Sequence, residues 1–368
     1  MIKLLFFINT TLSSGGAEKV LRTLVNNMDQ SRFDITVITS WPEDGGKYLA
    51  PGIHYRSLYP ARNQFWRLVS RLEAGLGLTY RMRMAGEYDI EIAYLEGPAA
   101  RIVSGCPDPD TKLVSWIHCT IHTSKEAALG YRHIKEARTC YGKMDTMAFV
   151  SQKVRDAFLQ ICPYTGQSVV LYNTNESDEI ISRSSEPAEL PGKNFCWCGV
   201  GKVVPIKGFD RMIRIQKRLA DDGYQAHLCI LGEGPQKDAL TKLAIDCGVA
   251  DSVTFLGYQT NPYKYVSKCD LFVCASFSEG FSTAATEALI VGTPVCTVEV
   301  SGMKEMLGEH NEWGIVTEND EQALYHGIKR LLDDPQLLAH YKEKAAIRGK
   351  TFSTENTVRA VENMLLNL

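Results

Sequence analysis

The sequence predicts an α/β protein of two domains, each built around a parallel sheet. The chain has 368 residues, which is long for one domain and comfortable for two. Short apolar runs alternate with helical patterns through both halves, and repeated strand and helix units form parallel sheets covered on both faces. A polar segment with little periodicity, residues 176–193, interrupts the alternation and is predicted to be a linker.

The first domain is predicted to span residues 1–175. A helix over 17–28 has one apolar stripe, because Val20, Leu24 and Met28 recur at helical spacing, as packing on a sheet requires. The apolar runs that predict its strands are 4–8, 35–39, 90–94, 113–117, 147–150 and 169–172.

The second domain is predicted to span residues 194–350, and residues 351–368 to form a C-terminal helix that packs back toward the N-terminal domain. Ligands of parallel sheets bind beyond the carboxyl ends of the strands, so two facing domains would hold a ligand cleft between them. The runs that predict strands are 195–200, 227–231, 253–256, 271–275, 295–298 and 314–317, with helices starting near Phe209, Pro235, Ser282 and Asp320.

Composition restricts the class of protein. A formal charge of −3 and a pI near 6.3 give no general positive field, so nucleic acid is not expected as a partner. The eleven cysteines are scattered through apolar runs, which is typical of reduced core residues. No apolar run reaches the roughly 20 residues of a membrane span, and the run at 4–8 is too short for a signal-peptide core. We therefore expect a cytoplasmic protein, with peripheral association at the inner face of the membrane as an open alternative.

Two glutamates bracket a strand-to-helix turn within residues 270–294. Glu279 and Glu287 stand eight positions apart; Gly280 ends the apolar run before them, and Ser282 begins a helical pattern. The free N–H groups and positive dipole of a helix N-terminus suit a phosphate. Carboxylates accept hydrogen bonds from hydroxyl groups. The pattern therefore predicts a ligand with phosphate in its middle and hydroxyl groups at both ends, such as a nucleotide sugar.

Two further candidates lie at strand ends of the first domain. Gly15 and Gly16 follow the first strand and open a helix, so a phosphate could approach the backbone closely; a plain flexible turn is the alternative. His118 ends the run 113–117, which places it at the rim where ligands of the sheet bind. For this residue the alternative is a purely structural histidine.

Two lysines follow the first strand of the second domain. Gly201 and Lys202 belong to a segment that nearly matches a dinucleotide fingerprint. Val204 stands where the third glycine would be, which disfavours a nicotinamide cofactor. Lys202 and Lys207 could instead neutralise a diphosphate leaving group, or they could be an ordinary solvated pair of charges.

A basic stretch at residues 62–83 contains five arginines and one glutamate. One interpretation is an amphipathic helix that lies on an anionic membrane surface. The other is an ordinary helix whose apolar stripe packs on the sheet. The stripe consists of Phe65, Val69, Leu72 and Leu76. The arginines that favour the membrane are Arg62, Arg67, Arg71, Arg81 and Arg83.

These motifs, in this order, resemble the family 4 retaining glycosyltransferases, which have the GT-B fold of two facing Rossmann-like domains. The resemblance covers nearly the whole chain, and although each motif alone is weak, the ordered set is specific. Two residues depart from the family pattern: Lys202, where arginine is commoner, and Ser282, where glycine or proline is common. The matching segments are 15–18, 201–202, 207–209, 231–235, 279–287 and 292–294.

The resemblance implies a role for each candidate residue. Glu287 would bind the ribose hydroxyls and Glu279 those of the donor sugar. Lys202 and Lys207 would hold the diphosphate, and His118 would lie beside the transferred sugar. No metal and no other cofactor is implied, because members of the family usually need no divalent ion. The remaining donor contacts would be Gly15, Gly16 and Gly201 near the phosphates, Gly257 and Tyr258 near the base, and the amides of Gly280, Phe281, Ser282 and Thr283.

The sequence thus predicts a retaining transferase that moves a hexose-type sugar from a nucleotide diphosphate sugar, with UDP-sugars the expected class. The acceptor would be a saccharide or a lipid-linked molecule in the synthesis of cell-surface polysaccharide or glycolipid. One alternative is a nucleotide-sugar epimerase or hydrolase on the same fold. Another is a catalytically silent binding subunit of a membrane glycosylation assembly.

Overall fold

The computed structural model describes residues 1–13, 15–42, 44–84, 86–191 and 194–368. The chain divides into two units. Unit 1 contains Met1–Thr174 and Thr354–Leu368, and unit 2 contains Asn175–Ser353. Each unit has one parallel sheet, so the predicted class, α/β with two parallel-sheet domains, is confirmed.

In the described part of unit 1, seven strands form one sheet: β1 (Ile2–Ile8), β2 (Phe33–Thr39), β3 (His54–Ser57), β4 (Ile90–Ala93), β5 (Lys112–Ile117), β6 (Thr146–Phe149) and β7 (Gln167–Val170). Their order is β3-β2-β1-β4-β5-β6-β7. Strand β1 lies at the centre and is buried from Leu4 to Ile8, as a strand covered on both faces must be. The sequence did not predict β3, because this edge strand is only partly buried and has no apolar run.

The helices of unit 1 other than α2 bury apolar side chains. Helix α1 buries Val20, Leu21, Leu24 and Val25, as its spacing predicts. The helices that precede residue 175 are α1 (Gly16–Asn27), α2 (Gln64–Leu76), α3 (Pro98–Val103), α4 (Ser124–Ala127), α5 (Ile134–Tyr141) and α6 (Gln152–Ile161), with a π-helical turn at Tyr80–Met84.

In unit 2 the described residues form a six-stranded parallel sheet: β8 (Phe195–Val200), β9 (Ala226–Leu231), β10 (Val253–Gly257), β11 (Leu271–Cys274), β12 (Val295–Val298) and β13 (Ile315–Thr317). The order is β10-β9-β8-β11-β12-β13, so β8 and β11 are neighbours at the centre. These strands bury five of the eleven cysteines, Cys196, Cys198, Cys229, Cys274 and Cys296.

The segment predicted as a linker contains a helix. Residues Ser177–Ser184 form α7, whose Ile180 is buried and which packs against two other helices of unit 2. This helix was not predicted, because its eight residues contain too few apolar side chains to show a helical period. Gly192 and Lys193 lie outside the described residues. The helices of unit 2 are α7, α8 (Phe209–Asp221), α9 (Lys237–Asp246), α10 (Tyr263–Val266), α11 (Thr283–Ile290), α12 (Met303–Leu307), α13 (Glu321–Asp333) and α14 (Pro335–Gly349).

The last helix, α15 (Thr354–Leu366), belongs to unit 1 and packs against α1. Its Val358, Val361 and Leu365 are buried. Glu362 accepts a hydrogen bond from the backbone N of Asp29 at 2.7 Å. The chain therefore returns to unit 1 after completing unit 2.

Helix α2 turns a different side inward from the one expected. Trp66 and Glu73 face inward, whereas Phe65, Leu72 and Leu76 are exposed. The interpretation in which the apolar stripe packs on the sheet is therefore wrong.

The described helices include none long and apolar enough to cross a membrane.

A buried amide ties α8 to the sheet of unit 2. Gln216 accepts a hydrogen bond from Nε1 of Trp197 at 2.9 Å and donates to the carbonyl oxygen of Ala226 at 2.7 Å. It donates also to Oγ of Ser252 at 3.0 Å. Because Gln216, Trp197 and Ala226 are buried, the amide satisfies two polar groups that water does not reach.

We predict that Gln216→Leu lowers the free energy of unfolding by about 2 to 4 kcal/mol, since two buried polar groups lose their partner. Urea denaturation followed by far-UV circular dichroism measures the change. The control is Gln322→Leu on the exposed side of α13, expected to shift stability by less than about 0.5 kcal/mol. Equal stabilities for the two variants would contradict this role of Gln216.

Candidate functional site

The loop of residues 275–282 joins strand β11 to helix α11. Strand β11 is buried throughout and ends at Cys274. The Oγ of Ser282 caps the helix by accepting a hydrogen bond from the backbone N of Ala285 at 3.3 Å. The loop therefore lies at the carboxyl end of a central strand and at the positive end of a helix dipole.

Glu279, on this loop, is held by a cation and a hydroxyl group. Nζ of Lys207 lies 2.6 Å from Oε1 of Glu279, and the two side chains are only 29% and 11% exposed. Oγ of Ser276 donates to the same oxygen at 2.6 Å, and Sγ of Cys274 lies 3.9 Å from it. The structure thus brings together Lys207, Glu279 and Ser282, which line one recess. The sequence analysis did not predict Ser276. Its only sequence signal is that it is a small polar residue three positions before Glu279.

A glycine permits the close approach of the two loops. Gly208 has φ +66°, and a Cβ there would lie 2.1 Å from the carbonyl oxygen of Ala275. No larger residue fits without moving the backbone. The glycine that follows Lys207 is therefore what lets the end of the β8 loop lie against the β11 loop and bring the lysine to Glu279.

A buried arginine, Arg211, contacts the loop of residues 275–282. The guanidinium of Arg211 stacks 3.6 Å from the ring centre of Phe277, and its Nη1 donates to Oδ1 of Asn319 at 2.7 Å. The backbone N of Phe277 also donates to the carbonyl oxygen of Ile206 at 2.8 Å. Sequence reasoning missed Arg211, because its partners are distant in the chain and carry no motif.

Glu287 lies apart from this recess. It is buried on α11, with the hydroxyl of Tyr263 3.5 Å from its Oε1. Its neighbour Thr286 accepts a hydrogen bond from the side-chain amide of Asn175 at 3.2 Å. The two predicted glutamates therefore occupy different surroundings on either side of the helix start, and their roles toward a ligand remain predictions.

The glycines that follow β8 and end β10, which the sequence predicts to contact the donor, lie near one another at the carboxyl ends of the strands. The backbone N of Gly201 donates to the carbonyl oxygen of Leu231 at 2.9 Å, and the carbonyl of Gly257 accepts from the backbone N of Gly232 at 2.8 Å. Lys202 and Tyr258 are exposed beside these glycines. The order β10-β9-β8 thus brings Gly201, Gly232 and Gly257 together at the carboxyl ends of neighbouring strands.

The ring of Phe281 packs into the interior of unit 2. It lies 5.7 Å from the ring centre of Phe352, and the residue is 5% exposed. Gly280 and Thr283 are partly exposed on either side of it. The side chain of Phe281 therefore contributes to the packing of unit 2, and the predicted contact of its amide with the donor stays a prediction.

At the start of α1 a carboxylate lies against the glycine loop. Gly16 is the first residue of the helix, and Thr10 donates to Oε1 of Glu18 at 2.8 Å. A Cβ on Gly15 would lie 2.0 Å from Oε2 of Glu18. Ser14 is outside the described residues. A phosphate at Gly15 or Gly16 would therefore meet this negative charge, which sequence reasoning did not anticipate.

His118 follows strand β5 in an aromatic cluster. Its ring lies 4.7 Å from that of Tyr94 and 6.0 Å from that of Trp116. The backbone N of His118 donates to Glu96 at 2.9 Å. The residue as a whole is partly exposed, but its Nε2 atom is buried and has no hydrogen-bond partner. Burial lowers the pKa of His118 from 6.5 to about 3, so its imidazole is neutral near pH 7.

We predict that His118 makes the folded chain less stable as pH falls. The folded pKa lies below the unfolded one, so below pH 6.5 the unfolded chain takes up a proton that the folded chain excludes. Between pH 7 and pH 5 this costs about 2 kcal/mol, which His118→Gln should remove. Urea denaturation at both pH values measures it. The control His340→Gln, at an exposed position, should keep the parent's pH dependence; the same dependence in His118→Gln would contradict the assignment.

Part of the chain is similar to proteins of a known family. Residues 181–348 match the family model described as glycosyl transferases group 1. Over 199 residues the chain is 36% identical to the N-acetylgalactosamine-N,N'-diacetylbacillosaminyl-diphospho-undecaprenol 4-alpha-N-acetylgalactosaminyltransferase of Campylobacter jejuni, covering 54% of this chain and 53% of that protein. A lipopolysaccharide core biosynthesis glycosyltransferase of Rhizobium meliloti, LpsD, is 29% identical over 181 residues, covering 49% and 50%. The chain thus spans about half the length of these curated relatives.

Solved structures share the fold over the whole chain. Anabaena HepE in complex with UDP has a TM-score of 0.78 at 20% identity and covers 100% of both chains. A sucrose-phosphate synthase from Thermosynechococcus elongatus has a TM-score of 0.76 at 15% identity, covering 100% of this chain and 99% of the other. At these identities the likeness concerns the fold alone. Residues 181–348 of the chain thus resemble the glycosyl transferases group 1 family.

Proposed function

We propose that the protein is a retaining glycosyltransferase of family 4 that moves a hexose-type sugar from a UDP-sugar to a saccharide or lipid-linked acceptor. The reaction would serve cell-surface polysaccharide or glycolipid synthesis and need no divalent metal. The observation that carries the proposal is the ion pair of Lys207 and Glu279 beside the capped start of α11, inside the segment that matches the family.

The cationic side of this arrangement suits the leaving group. As the bond to the sugar breaks, further negative charge develops on the diphosphate, and the barrier falls if fixed positive groups lie near that charge. Lys207 is held in place by Glu279 at 2.6 Å, and exposed Lys202 follows the same strand end. With the dipole of α11, these lysines form a site in which an entering diphosphate shares Lys207 with the carboxylate.

The carboxylates suit the two hydroxyl-rich ends of the donor. Glu279 lies at the recess with the lysine, where it would accept hydrogen bonds from the transferred sugar. Glu287, farther along α11 beside Tyr263, would accept those of the ribose. Neutral His118 would contribute a hydrogen bond to the sugar rather than a charge.

The choice of donor, acceptor and stereochemistry rests on similarity. HepE, which shares the fold, was solved with UDP and with UDP-glucose. The Campylobacter jejuni relative is named for an acceptor linked to undecaprenol through a diphosphate. The retaining outcome follows the sequence resemblance, in which the leaving phosphate helps to deprotonate the acceptor on the same face of the sugar.

A panel of nucleotide sugars tests the proposal. A bound donor stabilises the folded chain by about 2.7 kcal/mol at a hundredfold excess over Kd, which a thermal shift detects. UDP-sugars should give the largest shift, and with an acceptor the product should keep the anomeric configuration by NMR. Release of an epimer or of free sugar alone would instead indicate an epimerase or hydrolase. Absence of any binding would indicate a silent subunit.

We predict that Glu287→Ala weakens binding of UDP by about 1 to 3 kcal/mol, through the loss of hydrogen bonds between its carboxylate and the ribose. Isothermal titration calorimetry measures the affinity, and Glu287→Gln serves as a second variant that preserves side-chain volume. The matched control is Glu318→Ala at an exposed position of unit 2, expected to leave affinity unchanged. Unaltered UDP affinity in a folded Glu287→Ala protein would remove the residue from the site.

A further inference from the structure

Helix α2 of unit 1 presents its leucines to the outside. Leu68, Leu72 and Leu76 follow one another at spacings of four, and Phe65 stands one turn before Leu68. The exposed fractions are 63% for Phe65, 57% for Leu68, 57% for Leu72 and 70% for Leu76. Single exposed apolar residues are common, but four in one stripe form a continuous patch that indicates an interaction surface. We call these four side chains the apolar face.

The inner side of the same helix is fixed by polar and aromatic contacts. Glu73, 5% exposed, makes a two-pronged ion pair with Arg83, with Nη2 of the arginine 2.6 Å from Oε1. The hydroxyl of Tyr59 donates to Oε2 of Glu73 at 2.9 Å. Trp66 lies 5.3 Å from the guanidinium of Arg83. Because this partly buried pair holds the helix by its opposite side, the orientation of the apolar face is set by the fold.

Further apolar side chains follow the helix. Met82, in the π-helical turn, is 57% exposed, and Leu129, in a loop of the same unit, is 65% exposed. Arg132 joins that loop to the end of α2 by donating to the carbonyl oxygen of Gly75. The exposed apolar surface therefore extends beyond the C-terminal end of the helix.

The exposed charges of residues 62–84 are positive. Four arginines are exposed here, Arg62, Arg67, Arg71 and Arg81. Within residues 62–84, all of which the structure describes, Glu73 is the only acidic residue, and it is buried. Arg67 and Arg71 are one turn apart and lie beside the leucine stripe on the helical wheel. Arg83 belongs to the partly buried pair, so of the five arginines expected to meet a membrane this one does not.

We propose that the apolar face docks on the surface of an anionic lipid bilayer, with the four side chains among the upper acyl chains and the exposed arginines against lipid phosphates. A helix with a large apolar stripe and flanking arginines has the chemistry of an interfacial helix. A second copy of the chain is a poorer occupant, because it would bring four more arginines toward these four. The surface lies in unit 1 and is independent of the proposed donor chemistry.

Vesicle sedimentation with the full chain and no nucleotide sugar tests this proposal. Binding to phosphatidylglycerol-containing vesicles should exceed binding to pure phosphatidylcholine and should fall as salt rises. Leu68→Ser with Leu72→Ser should reduce partition at least about tenfold, through lost apolar burial. Arg67→Gln with Arg71→Gln should reduce it by about 25-fold on anionic vesicles, at roughly fivefold for each arginine near the surface.

Two matched controls remove similar groups from unit 2. Ile245→Ser with Ile347→Ser takes away two exposed apolar side chains, and Lys217→Gln with Lys242→Gln takes away two charges; both should bind as the parent does. Circular dichroism confirms that each variant folds. Parent-like binding by the α2 variants, or equal binding to neutral vesicles, would overturn the proposal. So would a dimer that Leu72→Ser dissociates, with no vesicle binding by the parent.

Discussion

The contact between Lys207 and Glu279 is the constraint on which the proposed chemistry of unit 2 depends. It joins the loops that follow the two central strands, β8 and β11, through a distance of 2.6 Å in a partly buried setting. Removing one charge of such a pair leaves the other poorly solvated, so the pair acts as a unit. Gly208 permits the approach, and Ser276 fixes the carboxylate. Arg211 stacks on Phe277 and holds the loop that carries it.

The sequence allowed much of this to be predicted, because chemistry at strand ends follows from local patterns. The alternation of strands and helices predicted the two sheets, and Gly280 followed by Ser282 predicted the helix start. Ser276 and Arg211 were missed for different reasons. Ser276 donates a hydrogen bond to Glu279, three positions later in a loop, and no sequence pattern identifies such a contact. Arg211 meets Phe277 and Asn319, 66 and 108 positions away, and no local rule predicts such partners.

Helix α2 shows the limit of periodicity more sharply. Its spacing correctly gave an amphipathic helix, but a period does not say which side faces the protein. The orientation of α2 depends on the ion pair of Glu73 and Arg83. Because this pair lies on the inner side of the helix, the leucines lie on the outer side. The stripe also includes Leu68 in place of the expected Val69, which is less exposed. A protein that must both fold and meet a lipid surface can reconcile the two needs by placing an ion pair on the inner side of a helix.

A double-mutant cycle on Lys207 and Glu279, measured as kcat/KM for sugar transfer, tests the central claim most directly. Lys207→Met, Glu279→Gln and the double variant are compared with the parent, with circular dichroism as the check on folding. If the pair acts as a unit, the kcat/KM of the double variant is little lower than that of the less active single variant. The coupling free energy then exceeds about 1 kcal/mol. Losses that add within about 0.5 kcal/mol would show two independent residues and contradict the account.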